Sequence, residues 1–505
     1  MQAIPRNVPA ISAILSATAL VLVSLLIANY ISWQLLKPEV SAVYWINDIP
    51  NYDAHLINMH QRAMARVQQG SSDSFLPIYD VQNPGFFLLV AELFVRAGAT
   101  TPLPLQILSI VLFNIGALCF FCWVYLLFQD LIVATFGAAF LILSKFFLFF
   151  PGVIHTMPYE FAFFNVTLLL FVLFLRNNKP AYLVGSLLAM FMTCMNYWFY
   201  YMSSWIIMIG LWWQFRGRPR LKDVALISVP PVSAAAFTAI MVMSLMGGVG
   251  SGAFRLADIL VARLVDARVS DGYWYPNQRF MSAADWLAYP VTVVRRLEWS
   301  YLFDPLWFSI AAIWVLFLLS LHNRRAFVSA LILLAGGFSW YYVMFQHTHI
   351  HAFAGQYSFM AICPIFGLIV SESIFIARRA VVRASMVSPT LFHRLVSQKT
   401  NTSSGILLRK RSFRSAAADL AMAVLLLTVV SAMIWSYVRN ARDLIDQTVE
   451  TAKAVEIKYQ AAIQAICQQH SKITLEDLKL ASKDWGIRWL PHLITDTNRT
   501  PKCPG

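Results

Sequence analysis

Residues 103 to 128 read LPLQILSIVLFNIGALCFFCWVYLLF, without one Asp, Glu, Lys or Arg. About 20 mainly apolar residues carry a helix across a hydrocarbon core of about 30 Å. A soluble core has no use for an uncharged run of this length, so the stretch is a membrane span. The rest of the chain agrees: of 505 residues, 59% are hydrophobic and 13% charged. Working outward, eleven candidate spans emerge, near 10–36, 103–128, 130–150, 157–176, 180–196, 198–215, 224–247, 303–321, 326–345, 357–377 and 419–438. The expectation is an all-α, polytopic integral membrane protein with amphipathic surface helices in its outer loops.

Lys and Arg are retained on the cytoplasmic side of a membrane. The basic loop 378–418 carries Arg378, Arg379, Arg383, Arg394, Lys399 and the run Arg409, Lys410, Arg411, with no acid before residue 419. Counting back through the spans puts RGRPRLK (216–222) and HNRR (322–325) on the same side. The amino terminus is then inside. Outside lie 37–102, 248–302, the short turn 346–356 and a helical tail, so the chain divides into a transmembrane unit, 1–438, and an extracytoplasmic tail, 439–505. The net charge of +14 is anchoring to anionic lipid, and a nucleic-acid partner has no basic, aromatic module to support it. The first span is too long for a cleaved signal and is read as a retained anchor. Cys119, Cys122, Cys194 and Cys363 fall inside spans, as small apolar side chains do. Cys467 and Cys503 fall in the tail, where an oxidising compartment permits a disulfide.

The first outer loop is the most patterned. YWINDIPNYDAHLINMHQRAMARVQQG (44–70) sets Asp48 and Asp53 beside aromatics. From Asp53 onward His55, Asn58, Arg62, Arg66 and Gln69 recur at spacings of three and four, with Leu56, Ile57, Ala63, Met64 and Val67 opposite. That period describes a helix lying on the membrane surface. Beyond Gly70, IYDVQNPG (78–85) breaks the chain before the next apolar run. The second loop repeats the type, with RLADILVARLVDARVSDGYWYPNQRF (255–280) read as a surface helix followed by the aromatic turn Tyr273, Trp274, Tyr275.

This layout resembles the GT-C superfamily of lipid-phosphate-dependent glycosyltransferases, most nearly the protein O-mannosyltransferases and the bacterial lipid A aminoarabinose transferases. The resemblance implies a GT-C-like fold, a polyprenyl-phosphate-linked sugar donor, a glycan, lipid or protein acceptor, and a place in the bacterial inner membrane. It also implies an acceptor-side Asp in the first outer loop. Asp48 and Tyr52 match the family's Asp-x-x-x-Tyr spacing, with Ile49 where a Glu is usual, while Asp53, in DAH, is similar to more distant members. His55, Arg62 and Tyr79 fall in the matching segments. The chain departs from the pattern twice. Asn83 replaces the Lys that some relatives carry, and HTMPYEF (155–161) puts Thr156 where a second acid is expected, with His155 and Glu160 close by.

The chemistry asks for the same groups independently. Transfer from a polyprenyl phosphate needs a carboxylate to take the acceptor proton and cations or hydrogen-bond donors at the departing phosphate. Asp48 and Asp53 stand where lipid headgroups lie. Either also serves as a turn or helix cap, so both readings stay open. Candidate phosphate contacts are Arg279, Arg295 and Arg296, each equally suited to ordinary headgroup contact. In QHTHIHAFAGQY (346–357), His347, His349 and His351 alternate, which aims them one way if the turn is extended. They are interfacial histidines or ligands of an anionic headgroup or a divalent metal, the one cofactor left open. Tyr273 and Trp274 would stack on a sugar or anchor at the interface. Two other function classes compete: a transporter or flippase of lipid-linked saccharide, and a non-catalytic membrane scaffold.

Overall fold

The structure is a computed structural model describing residues 11–35, 103–149, 156–196, 199–245, 283–301, 303–343 and 357–396, with isolated positions elsewhere. Among the described residues there is helix and no strand. The helices are α1 Ile11–Leu35, α2 Leu103–Phe128, α3 Leu131–Leu143, α4 Lys145–Phe149, α5 Met157–Asn177 and α6 Pro180–Cys194. They continue with α7 Phe199–Arg216, α8 Leu221–Leu245, α9 Ala283–Tyr301, α10 Pro305–His322, α11 Arg324–Val343 and α12 Phe359–Val396. Six are long and apolar enough to cross a membrane: α2, α5, α8, α10, α11 and α12; the apolar parts of α1, α3 and α6 are shorter. The chain is a multi-pass, all-helical membrane protein. Each of the first ten expected spans coincides with helix, and the eleventh, 419–438, lies almost wholly outside the described residues.

Local chemistry sets where these helices begin and end. Asp130 caps α3, its carboxylate accepting from the backbone N–H of Ile132 at 2.9 Å and from Ser371 Oγ of α12 at 2.6 Å. Asp304 caps α10 in the same way, accepting from Leu306 N–H at 2.9 Å, with Pro305 at the first helical position, where its missing N–H costs nothing. Asn178 ends α5 with a left-handed φ of 55°. The span expected at 130–150 is broken at Ser144, which leaves helical geometry with ψ 155° while its hydroxyl donates to the Leu141 carbonyl at 2.6 Å.

Without water to drive helices together, membrane bundles pack through small residues and interhelical hydrogen bonds, and this one does both. α3 lies directly on α12: a Cβ at Gly367 would collide with the Val133 carbonyl, and one at Gly137 would lie 2.9 Å from the Cys363 carbonyl. α7 joins α11 where Ser203 Oγ donates to the Gly336 carbonyl at 2.9 Å. Between α1 and α2, Asn29 and Asn114 exchange reciprocal amide hydrogen bonds of 3.0 and 3.1 Å. Aromatic rings fill the centre, with Phe113, Phe146 and Phe161 in mutual contact and Phe359 against Phe146 and Phe161. Leu15, Leu26, Leu188, Ile313 and Phe317 remain exposed, as lipid-facing side chains should.

The two ends of the bundle differ. At one end α5, α7 and α11 bring Arg176, Arg216 and Arg325 together. Arg216 donates to the Phe174 carbonyl at 3.0 Å, the Arg325 guanidinium lies 4.2 Å from the centre of the Phe215 ring, and the Gln129 side-chain amide sits against the Arg176 guanidinium. The opposite end holds the start of α5, the close of α6, the first turn of α7, α4, α9 and the entry to α12.

Candidate functional site

At this second end, α9 is the organising element. It falls in the expected outer loop 248–302 but is not among the helices read from the sequence; the surface helix expected over 255–280 lies outside the described residues. Along α9, Leu287, Val291 and Val294 are exposed while Tyr289, Leu297 and Tyr301 are buried, so an apolar stripe looks away from the protein. Three contacts hold the helix in place. Tyr289 OH donates to the Tyr341 carbonyl of α11 at 2.5 Å. Trp286 lies 4.4 Å, ring to ring, from Phe345. Tyr301 stacks on Phe140 of α3 with ring centres 6.0 Å apart.

The fourth contact bears on chemistry. Gly355, four residues past the last histidine of the expected His-x-His-x-His turn, is seated on the backbone of Arg296. A Cβ there would collide with the Arg296 carbonyl oxygen and lie 2.5 Å from Ser300 Oγ. Here glycine is required by close approach. The turn continues through Ser358, whose hydroxyl donates to the Gly355 carbonyl at 2.7 Å and which also hydrogen-bonds Tyr301 and Tyr341. The exit of the turn is thus stapled to the helix that presents Arg295 and Arg296. Arg295 is exposed and Arg296 half-buried. Burial lowers the Arg296 pKa from its ordinary value, yet a guanidinium stays charged in any protein setting. A partly desolvated arginine is well suited to an anionic oxygen.

Glu160 is a second ionisable residue of interest at this end. It sits in the first turn of α5, is 1% exposed, and its Oε2 has no hydrogen-bond partner among the described residues. Phe164, one turn along the same face, meets Tyr200 of α7 at 4.8 Å and Phe359 of α12 at 5.7 Å. Glu160 therefore lies on the face that α5 turns toward α7 and α12.

Of the candidate site residues, the structure describes Glu160, Arg295 and Arg296. Asp48, Tyr52, Asp53, His55, Arg62, Tyr79, Asn83, His155, Tyr273, Trp274, Arg279, His347, His349 and His351 lie outside the described residues. No group of three or more His, Cys, Asp or Glu side chains able to hold a metal occurs among the described residues. The sequence reading missed α9 as a helix and Gly355 as its clamp. The GQY that closes the histidine turn was the only trace of the latter.

No family model and no curated protein matches the chain. Among solved structures it is similar to the Archaeoglobus fulgidus oligosaccharyltransferase in its apo form, with 12% identity and a TM-score of 0.45. The likeness covers 85% of this chain and 56% of that one, so the chain spans little more than half the length of the archaeal protein.

Proposed function

We propose that the protein is an integral-membrane glycosyltransferase that moves a sugar from a polyprenyl-phosphate donor to an acceptor hydroxyl at the outer face of a bacterial inner membrane. The seating of Gly355 on Arg296 carries this reading, because it ties the histidine turn to the arginine-bearing helix, two segments proposed separately as contacts for one phosphate. In the reaction, the bond between the anomeric carbon and the phosphate oxygen breaks and a bond from that carbon to the acceptor oxygen forms. The acceptor proton passes to Asp48 or Asp53, and polyprenyl phosphate departs with its charge met by Arg296 and the histidines. The acceptor is a glycan, a lipid or a protein. The test is transfer by purified protein supplied with a panel of polyprenyl-phosphate sugars and a mixed acceptor pool. We expect release of polyprenyl phosphate from one donor, and bare transmembrane movement of donors without release would replace the enzyme reading with the flippase.

The orientation belongs to the same proposal. The arginine-rich end is cytoplasmic by the positive-inside rule, which leaves α9 and Glu160 outside. Cys467 is disulfide-bonded, in keeping with a tail in an oxidising compartment; Cys503 lies outside the described residues. A reporter fused after residue 400 should be cytoplasmic and one fused after 470 extracytoplasmic. If both report one side, the placement of the site is wrong.

A further inference from the structure

We propose that Glu160 and Asn196 form a subsite that binds the hydroxyl groups of a sugar at the end of the bundle where α5 begins. The proposal rests on the glycosyltransferase reading and supplies what that reading leaves open: the groups that recognise the carbohydrate rather than the phosphate.

The starting observation is a pair of buried acceptors lacking donors. Glu160 is 1% exposed and Asn196 is 0% exposed. Among the described residues, Glu160 Oε2 and Asn196 Oδ1 have no hydrogen-bond partner, although the Asn196 amide nitrogen donates to the Met192 carbonyl at 2.7 Å, which fixes the side chain. A buried polar oxygen without a donor is left with an uncompensated desolvation cost. Such a cost at one place is informative when a ligand would remove it.

The two residues lie within about one helical turn of each other along the bundle. α5 and α6 run antiparallel, registered where Ser186 Oγ donates to the Thr167 carbonyl at 2.9 Å. At about 1.5 Å per residue, Glu160 is about 10 Å and Asn196 about 15 Å beyond that contact, toward the same end. The difference is about one helical turn. Aromatic rings gather at this level, with Tyr200 against Phe164 at 4.8 Å, Phe199 stacked on Tyr357 at 4.5 Å and Trp340 5.4 Å from Phe199. Acceptor oxygens beside aromatic faces suit a sugar, whose hydroxyls donate hydrogen bonds and whose C–H face packs on a ring. They do not suit a phosphate, whose oxygens are themselves acceptors.

That opposition sets the test. Undecaprenyl-phosphate hexose and bare undecaprenyl phosphate are titrated against the purified protein in lipid nanodiscs, as wild type and as Glu160→Gln and Asn196→Ala. Glu160→Gln keeps the size of the side chain, so packing is preserved while the carboxyl is lost. We expect the wild type to prefer the sugar-bearing lipid, and each variant to lose about tenfold in affinity for it while binding bare lipid within about twofold of wild type. Equal weakening toward both lipids, or no weakening, with wild-type sugar preference intact, overturns the subsite and leaves the glycosyltransferase reading standing. A wild type that binds neither lipid overturns both.

Discussion

Asp48→Asn and Asp53→Asn proteins will both fold and bind donor lipid, and one of them will transfer sugar at about one-hundredth of the wild-type rate or less, the usual scale for losing a general base. The experiment separates two roles that coincide in the sequence. Asn caps a helix about as well as Asp, so an aspartate that only starts the surface helix leaves activity near normal when replaced. A carboxylate that takes the acceptor proton has no substitute in the amide. Asp53 is favoured, because the sequence pattern expects it to open a surface helix carrying Arg62 and Arg66; the Asp-x-x-x-Tyr spacing speaks for Asp48. Single-turnover transfer, normalised to bound donor, is the measurement. Wild-type rates in both variants would sink the mechanism drawn above.

Arg296→Ala is expected to slow turnover by about tenfold or more, the cost of removing one charge-assisted contact to a leaving phosphate. Arg295→Ala, on the exposed side of the same helix, should cost less, since an exposed charge is screened. The histidine turn enters through Gly355. Single alanines at His347, His349 and His351 report whether the turn reaches the phosphate directly. If donor-lipid binding and turnover are unchanged in all of these variants and in Arg279→Ala, the phosphate lies elsewhere.

The bundle was legible because its helices announce themselves one at a time. An apolar run such as 103–128 has no alternative to spanning a membrane, whatever its neighbours do. Features that depend on a neighbour were not legible. α9 mixes Asp285, Arg295, Arg296 and Glu298 with Pro290, and it is held by Tyr341, Phe345 and Gly355, residues distant in sequence. Ser144 is an ordinary small residue in an apolar stretch, and nothing local marks it as the place where α3 gives way to α4. Glu160 was visible as the acid nearest a position where the resemblance asks for one. Asn196 was not, since its meaning lies in falling within about one helical turn of Glu160 on an antiparallel neighbour. Arginines 295 and 296 were found by residue type, while the difference between them, one exposed and one half-buried, came only from the fold.

The amide exchange between Asn29 and Asn114 also dictates an order of events during synthesis. The two residues are 85 apart in the chain, so when α1 leaves the ribosome its polar partner does not yet exist. An unmatched carboxamide in hydrocarbon is costly, and α1 by itself is therefore an unfinished passenger. It becomes a settled resident of the bilayer only once α2 has been made, has entered beside it and has offered its own amide in return. The segment 37–102 is made during that wait.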